Sequence, residues 1–219
     1  MLAGNSQYNF NETQKPKMTD LERIKLIEET FGFPLKQVAA GEISRKDFYT
    51  TNIFWYSLRD IQRPSFPYKG SRNYCLDKDN NVSGLSLNYS PLFLLPPDFL
   101  KEFAHLNFLS LRSAAIRDIS VLKELKGITS LDLSYTKLSD ISVLKELKGI
   151  TSLDLSSNQL SDISVLKELK GITSLDLSSN QLSDISVLKE LKGITSLDLS
   201  SNQLSDISVL KELKGITSL

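Results

Sequence analysis

Residue types that commonly carry chemistry or staple a fold are scarce in this sequence. Its 219 residues include one cysteine, Cys75, and one histidine, His105. A single cysteine excludes an intrachain disulfide, and a histidine without acidic or cysteine neighbours at ligand spacing favours a structural role over a metal site. Because no nucleophile, base and metal set converges in the sequence, we predict a protein that is not an enzyme and uses no cofactor.

An excess of charge and long apolar runs are also missing. Basic and acidic residues both number 26, so the formal net charge is zero and nothing predicts a general attraction to nucleic acid. No run approaches the roughly 20 apolar residues that span a bilayer. Residues 1–17 lack the apolar core of a secretory signal. These absences predict a cytoplasmic protein without nucleic-acid or membrane partners.

What the sequence has in abundance is repetition. The segment LDLSSNQLSDISVLKELKGITS occurs three times over residues 153–218, and a fourth copy, residues 131–152, differs only at Tyr135, Thr136 and Lys137. A fixed period of about 20–30 residues is typical of a solenoid, in which each unit stacks only on its neighbours.

Each unit follows the pattern I-x-x-L-x-L-x-x-N-x-L, for example at Ile172, Leu175, Leu177, Asn180 and Leu182. This pattern resembles the leucine-rich repeats, in the 22-residue form of bacterial internalin-like proteins. The resemblance implies an α/β solenoid: a horseshoe with a parallel concave sheet and short helical or 3-10 turns on the convex side. It also implies a non-enzymatic scaffold that binds a protein partner of unknown identity through the concave face.

Elementary chemistry supports this layout. Leucines that alternate with an aspartate predict a short strand with its leucines inward. The short asparagine amide tolerates a left-handed backbone and bonds to neighbouring backbone groups, so stacked units predict an asparagine ladder at Asn158, Asn180 and Asn202. Asp184 is expected to cap the convex turn, and Gly193 to let the chain reverse.

The chain divides into three parts by pattern. Residues 1–17 are expected to be disordered, which makes Met18 a candidate start. Residues 18–81 form a predicted N-terminal cap, and residues 82–219 hold six repeats and the beginning of a seventh. Because the pattern stops at Leu219 inside a strand, we expect repeats to continue in a longer protein. The alternative is end-to-end self-association through the uncapped C-terminus.

The predicted cap has three elements. Thr19 and Glu22 have the spacing of a capping box at the start of a helix. An apolar stripe follows on that helix, at Leu21, Ile24, Ile27 and Phe31. An aromatic-rich segment covers residues 46–60. A β-hairpin follows over residues 74–87, turning at residues 77–81; a calcium loop is the less favoured interpretation of that turn, because its sixth position is not glycine.

A second resemblance lies in the cap. The segments MTDLERIKLIEETFGFPL and YCLDKDNNVSGLSL resemble the N-terminal leucine-rich part of bacterial Roco proteins, which carry a Ras-like GTPase further along the chain. This resemblance implies an alternative role as the regulatory segment of a larger signalling protein. No phosphate-binding GxxxxGK[ST] loop occurs in the sequence, so no GTPase is predicted here.

Two sets of residues are predicted on the concave face. One is an aspartate column, formed by Asp132, Asp154, Asp176 and Asp198. It is either an acidic stripe for a basic partner or divalent cations, or a solvated polar face. The other set lies in the imperfect units and combines aromatic side chains with an arginine, the types enriched at binding hot spots: Asn88, Tyr89, Phe108, Arg112 and Tyr135. Alternatively, the two tyrosines pack over the turns and Phe108 seals the transition from the cap.

Overall fold

The computed structural model describes residues 18–38, 72–116 and 118–218. The predicted disordered segment 1–17 and the aromatic segment 46–60 lie outside the described residues. Within them, no helix is both long enough and apolar enough to cross a membrane.

A single sheet runs through the described residues, with its eight strands in chain order. The pair β2–β3 is antiparallel and every other neighbouring pair is parallel. This arrangement confirms the predicted α/β solenoid. The strands are β1 (Lys36–Gln37), β2 (Arg72–Leu76), β3 (Val82–Leu87), β4 (Phe108–Ser110), β5 (Ser130–Asp132), β6 (Ser152–Asp154), β7 (Ser174–Asp176) and β8 (Ser196–Asp198).

Short 3-10 helices form the convex side. Two precede β4, at Leu92–Leu94 and Phe99–Glu102. Five of five residues each follow in the later units, at Ser120–Glu124, Ser142–Glu146, Ser164–Glu168, Ser186–Glu190 and Ser208–Glu212. At the start of one of them, Oδ1 of Asp184 accepts a hydrogen bond from Ser186 N at 2.8 Å. The N-cap residue is Ile185, so the aspartate makes the expected kind of bond from one position before the cap.

The core lies between the sheet and the 3-10 helices. In one unit Leu175, Leu177, Ile185, Leu188 and Leu191 are all buried, as the repeat pattern predicts. Complete burial of such a side chain contributes about 1.5–3 kcal/mol. One unit cannot cover its own apolar faces, so the stack holds itself together through the contacts between neighbours.

The asparagine ladder is confirmed, with one correction. Asn180 Nδ2 donates to the carbonyls of Leu177 and, one unit earlier, Leu155, both at 3.0 Å. Its Oδ1 accepts from Leu160 N at 3.0 Å. The left-handed backbone expected at the asparagine belongs instead to the residue before it, Ser179, at φ 54°. The Asn180 side-chain amide bonds to backbone groups of its own unit and of the preceding unit, and the left-handed turn of the chain lies one residue before it.

The role of the repeat glycine is also corrected. Gly193 does not have a positive φ, so a left-handed backbone does not explain how the chain reverses there. At some of the equivalent glycines the constraint is space: a Cβ at Gly171 would lie 3.3 Å from the Ile150 carbonyl oxygen of the unit before it, whereas a Cβ at Gly193 would make an ordinary contact with Ile172 O at 3.5 Å. Glycine therefore allows two neighbouring units to approach closely.

The N-terminal helix α1 (Asp20–Phe31) has the predicted capping box, formed by Thr19 and Glu22. Ile24 and Ile27 are buried, whereas Leu21 is exposed, so the apolar stripe is shorter than the sequence indicates. Arg23 is buried on the packed side of this helix: its Nη1 lies 2.7 Å from Asp20 Oδ1, and its guanidinium lies 5.9 Å from the ring centre of Phe103.

The predicted hairpin is present as β2 and β3, which pair in antiparallel register with Tyr74 opposite Leu85. In its turn, Asp77 Oδ1 accepts hydrogen bonds from Asp79 N at 2.8 Å and Asn81 N at 2.9 Å. β3 then becomes the first parallel strand of the repeat stack, because Leu85 pairs with Leu109 of β4.

Candidate functional site

The concave face is built from the side chains that alternate with the buried leucines. From β5 to β8, strand register places Asp132 beside Asp154, Asp154 beside Asp176, and Asp176 beside Asp198. Neighbouring strands in a sheet lie about 4.8 Å apart. The predicted aspartate column therefore exists as a row of carboxylates with one member per strand.

Each aspartate of the column closes the end of its own strand. Oδ1 of Asp154 accepts from Ser156 N at 2.9 Å and from Ser156 Oγ at 2.7 Å. The same two bonds join Asp132 to Ser134 and Asp176 to Ser178. This Asp-x-Ser turn satisfies an N–H group that has left the ladder, and it engages only one oxygen of the carboxylate.

Burial along the column is graded. Asp132 and Asp154 are only 4% and 6% exposed, Asp176 is half-buried and Asp198 is exposed. Burial raises the pKa of Asp132. It also raises the pKa of Asp154, and the charge of Asp132 adds to this effect. The pKa of Asp176 is raised by burial first and by Asp154 second. The column therefore carries charge that its surroundings do not fully stabilise.

Arg112 stands at the head of the column. Its Nη1 donates to Ser134 Oγ at 3.0 Å, and its guanidinium carbon lies 4.4 Å from the ring centre of Tyr135. Burial lowers the pKa of Arg112, but the charge of Asp132 and a hydrogen bond with the Tyr89 side chain outweigh it, so the net pKa is raised. Arg112 is thus held between Tyr89 and Tyr135, which belong to the units on either side of its own.

The two tyrosines occupy a strained position of the turn. Tyr135 has φ 58° and Tyr89 has φ 57°, in the left-handed region that bulky side chains seldom adopt. In the three perfect copies a serine holds the same position at nearly the same angle: Ser157, Ser179 and Ser201. Since serine satisfies the turn, the fold does not require a tyrosine there. Tyr135 leaves 37% of its surface exposed, and Tyr89 is half-buried.

Two of the predicted contact residues are not exposed as expected. Asn88 is 2% exposed and Arg112 is 7% exposed. Oδ1 of Asn88 accepts from Ser110 Oγ at 2.6 Å and from Arg112 N at 3.0 Å. In the unit of β4, Ser110 occupies the position that an aspartate holds in the column, opposite Asp132. Asn88, on the preceding strand, therefore accepts the hydrogen bond from the backbone N–H two residues after Ser110. Asn88 and Arg112 are therefore buried beneath the exposed residues of the site and support them, without being available for direct contact with a partner.

Phe108 is half-buried at the first position of β4, opposite Gly84. Arg72, which the sequence did not single out, supports the same end of the face. Its Nε donates to the Asn88 carbonyl at 3.1 Å, and its guanidinium lies 3.7 Å from the ring centre of Phe33. The only sequence signal for Arg72 is its place two residues before the predicted hairpin.

Lys137 and the serines of the Asp-x-Ser turns were also missed. Lys137 is exposed two residues after Tyr135, at φ 61°. Its signal was available, because it is one of three departures from an otherwise perfect copy. The serines were visible as Asp-x-Ser in every copy, but the sequence indicates only the side on which a residue lies, and not its bonds.

The other single residues have ordinary surroundings. His105 Nδ1 lies 3.9 Å from Asp77 Oδ2, with the imidazole largely exposed. Cys75 is buried, with its Sγ 3.4 Å from Ser83 Oγ. Among the described residues no group of three or more histidine, cysteine or acidic side chains is placed to hold a metal ion.

Comparison with known proteins agrees with this geometry. The family model described as Leucine Rich repeats (2 copies) matches residues 126–168, 148–190 and 170–212. No curated protein matches the sequence.

Solved structures resemble the chain more broadly. Internalin C2 of Listeria monocytogenes is 25% identical with a TM-score of 0.57, over 63% of this chain and 70% of that one. The Listeria internalin inlF is 31% identical with a TM-score of 0.58, over 67% of this chain and 45% of its own. The Arabidopsis receptor kinase HAESA, solved with the peptide hormone IDA and the co-receptor SERK1, is 25% identical with a TM-score of 0.57; the match covers 67% of this chain and 27% of HAESA.

Proposed function

Because this chain is a leucine-rich repeat protein of the bacterial internalin-like type, we propose that it binds a protein partner on the concave face of its solenoid. The proposal involves recognition without chemistry. HAESA, which shares the fold, was solved with a peptide hormone, and this supports the use of such a surface for polypeptides.

The observation that carries the proposal is Tyr135. Any residue other than glycine in the left-handed region costs free energy, on the order of 1–3 kcal/mol, and bulky side chains adopt this region least often. The three perfect copies avoid a bulky side chain there by using serine. Exposed tyrosines with an arginine beside them are enriched at binding hot spots. We therefore place the anchor of the partner at Tyr135, with Tyr89, Phe108 and Lys137 around it and Arg112 as the support beneath its ring.

The repeats supply a matched test of this anchor. Changing Tyr135→Ser, Thr136→Asn and Lys137→Gln turns residues 131–152 into a perfect copy of a unit that already folds three times in this chain. Loss of binding in this variant would not reflect misfolding. The control variant is Phe93→Ser, which removes an aromatic side chain of similar exposure, 41%, from a convex 3-10 helix.

The measurement is affinity capture with wild-type protein, followed by purification of any captured protein and titration calorimetry with all three forms. We expect the Kd to rise at least about tenfold in the reverted variant and to stay unchanged in Phe93→Ser, since hot-spot truncations typically cost more than about 1–2 kcal/mol. Equal affinity for the reverted variant would refute Tyr135 as the anchor.

Three further expectations remain predictions: the cytoplasmic location, the end-to-end self-association, and the alternative role as a regulatory segment of a Roco-like signalling protein. No contact among the described residues favours one of them. The chain spans 45% of inlF and 27% of HAESA, so the activity of any longer protein is also a matter of proposal.

A further inference from the structure

Charge is distributed unevenly between the two faces of the solenoid. The four units from residue 131 to residue 218 each carry two lysines, one glutamate and one aspartate on the convex side, as at Asp184, Lys189, Glu190 and Lys192, so the charges there balance. Some of them pair between units, with Lys192 Nζ 3.1 Å from Glu212 Oε2. The concave face carries one aspartate per unit, and the segments 152–158, 174–180 and 196–202 contain no cation.

Arg112 offsets part of the charge at the head of the column. Its charge opposes the rise that burial causes in the pKa of Asp132 and of Asp154. No salt bridge within residues 18–38, 72–116 and 118–218 reaches any of the four aspartates of the column. Carboxylates about 4.8 Å apart repel each other by roughly 1 kcal/mol in water and by more where water is scarce. A cation supplied from outside would relieve this repulsion.

A second, independent feature at the head of the column is a buried donor without a partner in the described part of the chain. The Arg112 side chain is more than nine-tenths buried, and its guanidinium reaches Ser134, the residue whose hydroxyl donates to Asp132. On that same planar group, Nε has no hydrogen-bond partner among the described residues. A buried donor without an acceptor costs about 1–3 kcal/mol.

We propose that the segment bound on the concave face is an extended, basic polypeptide, with lysine or arginine side chains over Asp154, Asp176 and Asp198. This inference rests on the proposed function and specifies its partner. Same-face side chains of an extended strand lie about 6.6–6.8 Å apart. The flexible four-carbon stem of lysine spans the difference from the spacing of the column.

A divalent cation is the less favoured occupant. Metal sites need several ligands that converge on one point, and the described residues hold no such group. Oδ1 of Asp154 is also committed to the N–H and hydroxyl of Ser156. A row of carboxylates one strand apart suits a row of ammonium or guanidinium groups better than one ion.

The first experiment uses hexalysine as the probe and fully acetylated hexalysine as its neutral control. Binding to the full chain is followed by fluorescence anisotropy. The test variant is Asp176→Asn with Asp198→Asn on the concave face. The matched control is Asp184→Asn with Asp206→Asn, which removes the same charge from exposed capping positions at the start of the convex 3-10 helices.

We expect hexalysine to bind wild-type protein and the acetylated peptide not to bind. The concave variant should lose at least about tenfold in affinity, or 1.4 kcal/mol, and the control variant should stay within about twofold of wild type. An equal loss in both variants would reveal general attraction to negative charge and would overturn the proposal. So would displacement of the peptide by Ca²⁺ at one ion per chain.

Proton release gives a second readout. Burial raises the pKa of Asp154 and Asp176, and a bound cation stabilises their charged forms. At an acidic pH where these carboxyls are partly protonated, binding should therefore release protons, which calorimetry in two buffers of different ionisation enthalpy detects, and affinity should fall as the pH is lowered further. A heat that does not depend on the buffer at that pH would contradict a contact with these carboxylates.

The two proposals fail in distinguishable ways. If reversion of residues 135–137 weakens partner binding while the Asp176→Asn, Asp198→Asn variant does not, the concave anchor stands and the basic segment is wrong. If the aspartate variant loses hexalysine and the reversion leaves partner affinity unchanged, the column binds cationic peptides but Tyr135 is not the anchor.

Discussion

At the scale of the single residue, one aspartate per unit has two opposing effects. As the acceptor of the Asp-x-Ser turn it stabilises the end of a strand, because it satisfies the backbone N–H and the hydroxyl of Ser156 or its equivalents. As a member of a column it lies one strand away from its own copies. The turn needs only an acceptor oxygen, which an asparagine also provides, so the negative charge is dispensable for the fold.

Asp154→Asn is therefore expected to stabilise the protein at neutral pH. The folded-state pKa of Asp154 is raised, so the folded chain binds the proton more tightly than the unfolded chain. Stability then falls as the pH rises from the ordinary aspartate value through the raised one. Above that window the substitution should recover about 1 kcal/mol, the size of one repulsion between neighbouring strands.

Urea unfolding across acidic to neutral pH measures this effect. Asp184→Asn is the control, because a backbone hydrogen bond from Ser186 lowers the pKa of Asp184 and its charge favours the folded state. The control should lose stability at neutral pH, and the loss should fade as the pH falls through the lowered value. Parallel curves for the two variants would contradict the assignment.

The ladder asparagine makes a second prediction at this scale. Asn180→Ala removes the donors to Leu155 O and Leu177 O and the acceptor for Leu160 N, all in the interior. Buried backbone groups left without partners cost about 1–3 kcal/mol each, so we expect a loss on the order of 2–4 kcal/mol. Gln181→Ala, at the exposed neighbouring position, should change the free energy of unfolding by less than about 0.5 kcal/mol.

At the scale of the element, helix α1 is attached to the repeats by a polar contact as well as by Ile24 and Ile27. Asp20 accepts from Val82 N at 2.8 Å through Oδ2 and holds Arg23 through Oδ1. Val82 begins the strand that starts the parallel stack. The helix thus joins the first strand of the solenoid at the point where that strand leaves the hairpin turn.

Asp20→Ala should weaken the attachment of helix α1 to the first strand of the solenoid. It leaves the Val82 N–H and the buried Arg23 guanidinium without their main partner, and breaking a buried ion pair from one side costs about 3–5 kcal/mol. Glu29→Ala, exposed on the same helix, is the control. Hydrogen exchange localises the effect: amides of residues 72–87 should lose protection, while those of the perfect copies keep it. Uniform loss along the chain would show a fully cooperative fold instead.

At the scale of the whole molecule, the perfect copies predict the result of removing a unit. Deletion of residues 153–174 takes out one full copy and joins Ser152 to Leu175, which gives the same Ser-Leu junction that links the copies in the natural chain. In a nearest-neighbour stack this lowers stability by one unit and one interface without changing the fold. Circular dichroism should be retained and the urea m-value should fall. Deletion of residues 160–170 breaks the register and should unfold the repeats.

The sequence predicted the whole-molecule arrangement because repetition averages out local ambiguity. One Leu-Asp-Leu segment is weak evidence for a strand, but its recurrence every 22 residues fixes the strand, the turn and the stacking direction. The capping box of α1 was equally visible, because it depends on a spacing within one turn.

The depth of the concave residues could not be predicted in the same way. Alternation shows which side of a strand a residue occupies, and the sequence correctly places Asn88 and Arg112 beside the tyrosines. It does not show that Ser110, in the aspartate position, leaves an N–H group for Asn88 to satisfy. Nor does it show that Tyr135 covers Arg112. Both are contacts between units, made by the residues in which those units differ.

The uniform step of the stack has one more consequence. Tyr135 and Arg112 have fixed positions near one end, and each perfect copy beyond them adds one carboxylate at a constant distance of about 4.8 Å. The number of copies therefore sets the length of the row of carboxylates. Gain or loss of a unit by recombination between identical segments would lengthen or shorten the charged track by one step, and would leave every junction and the anchor unchanged.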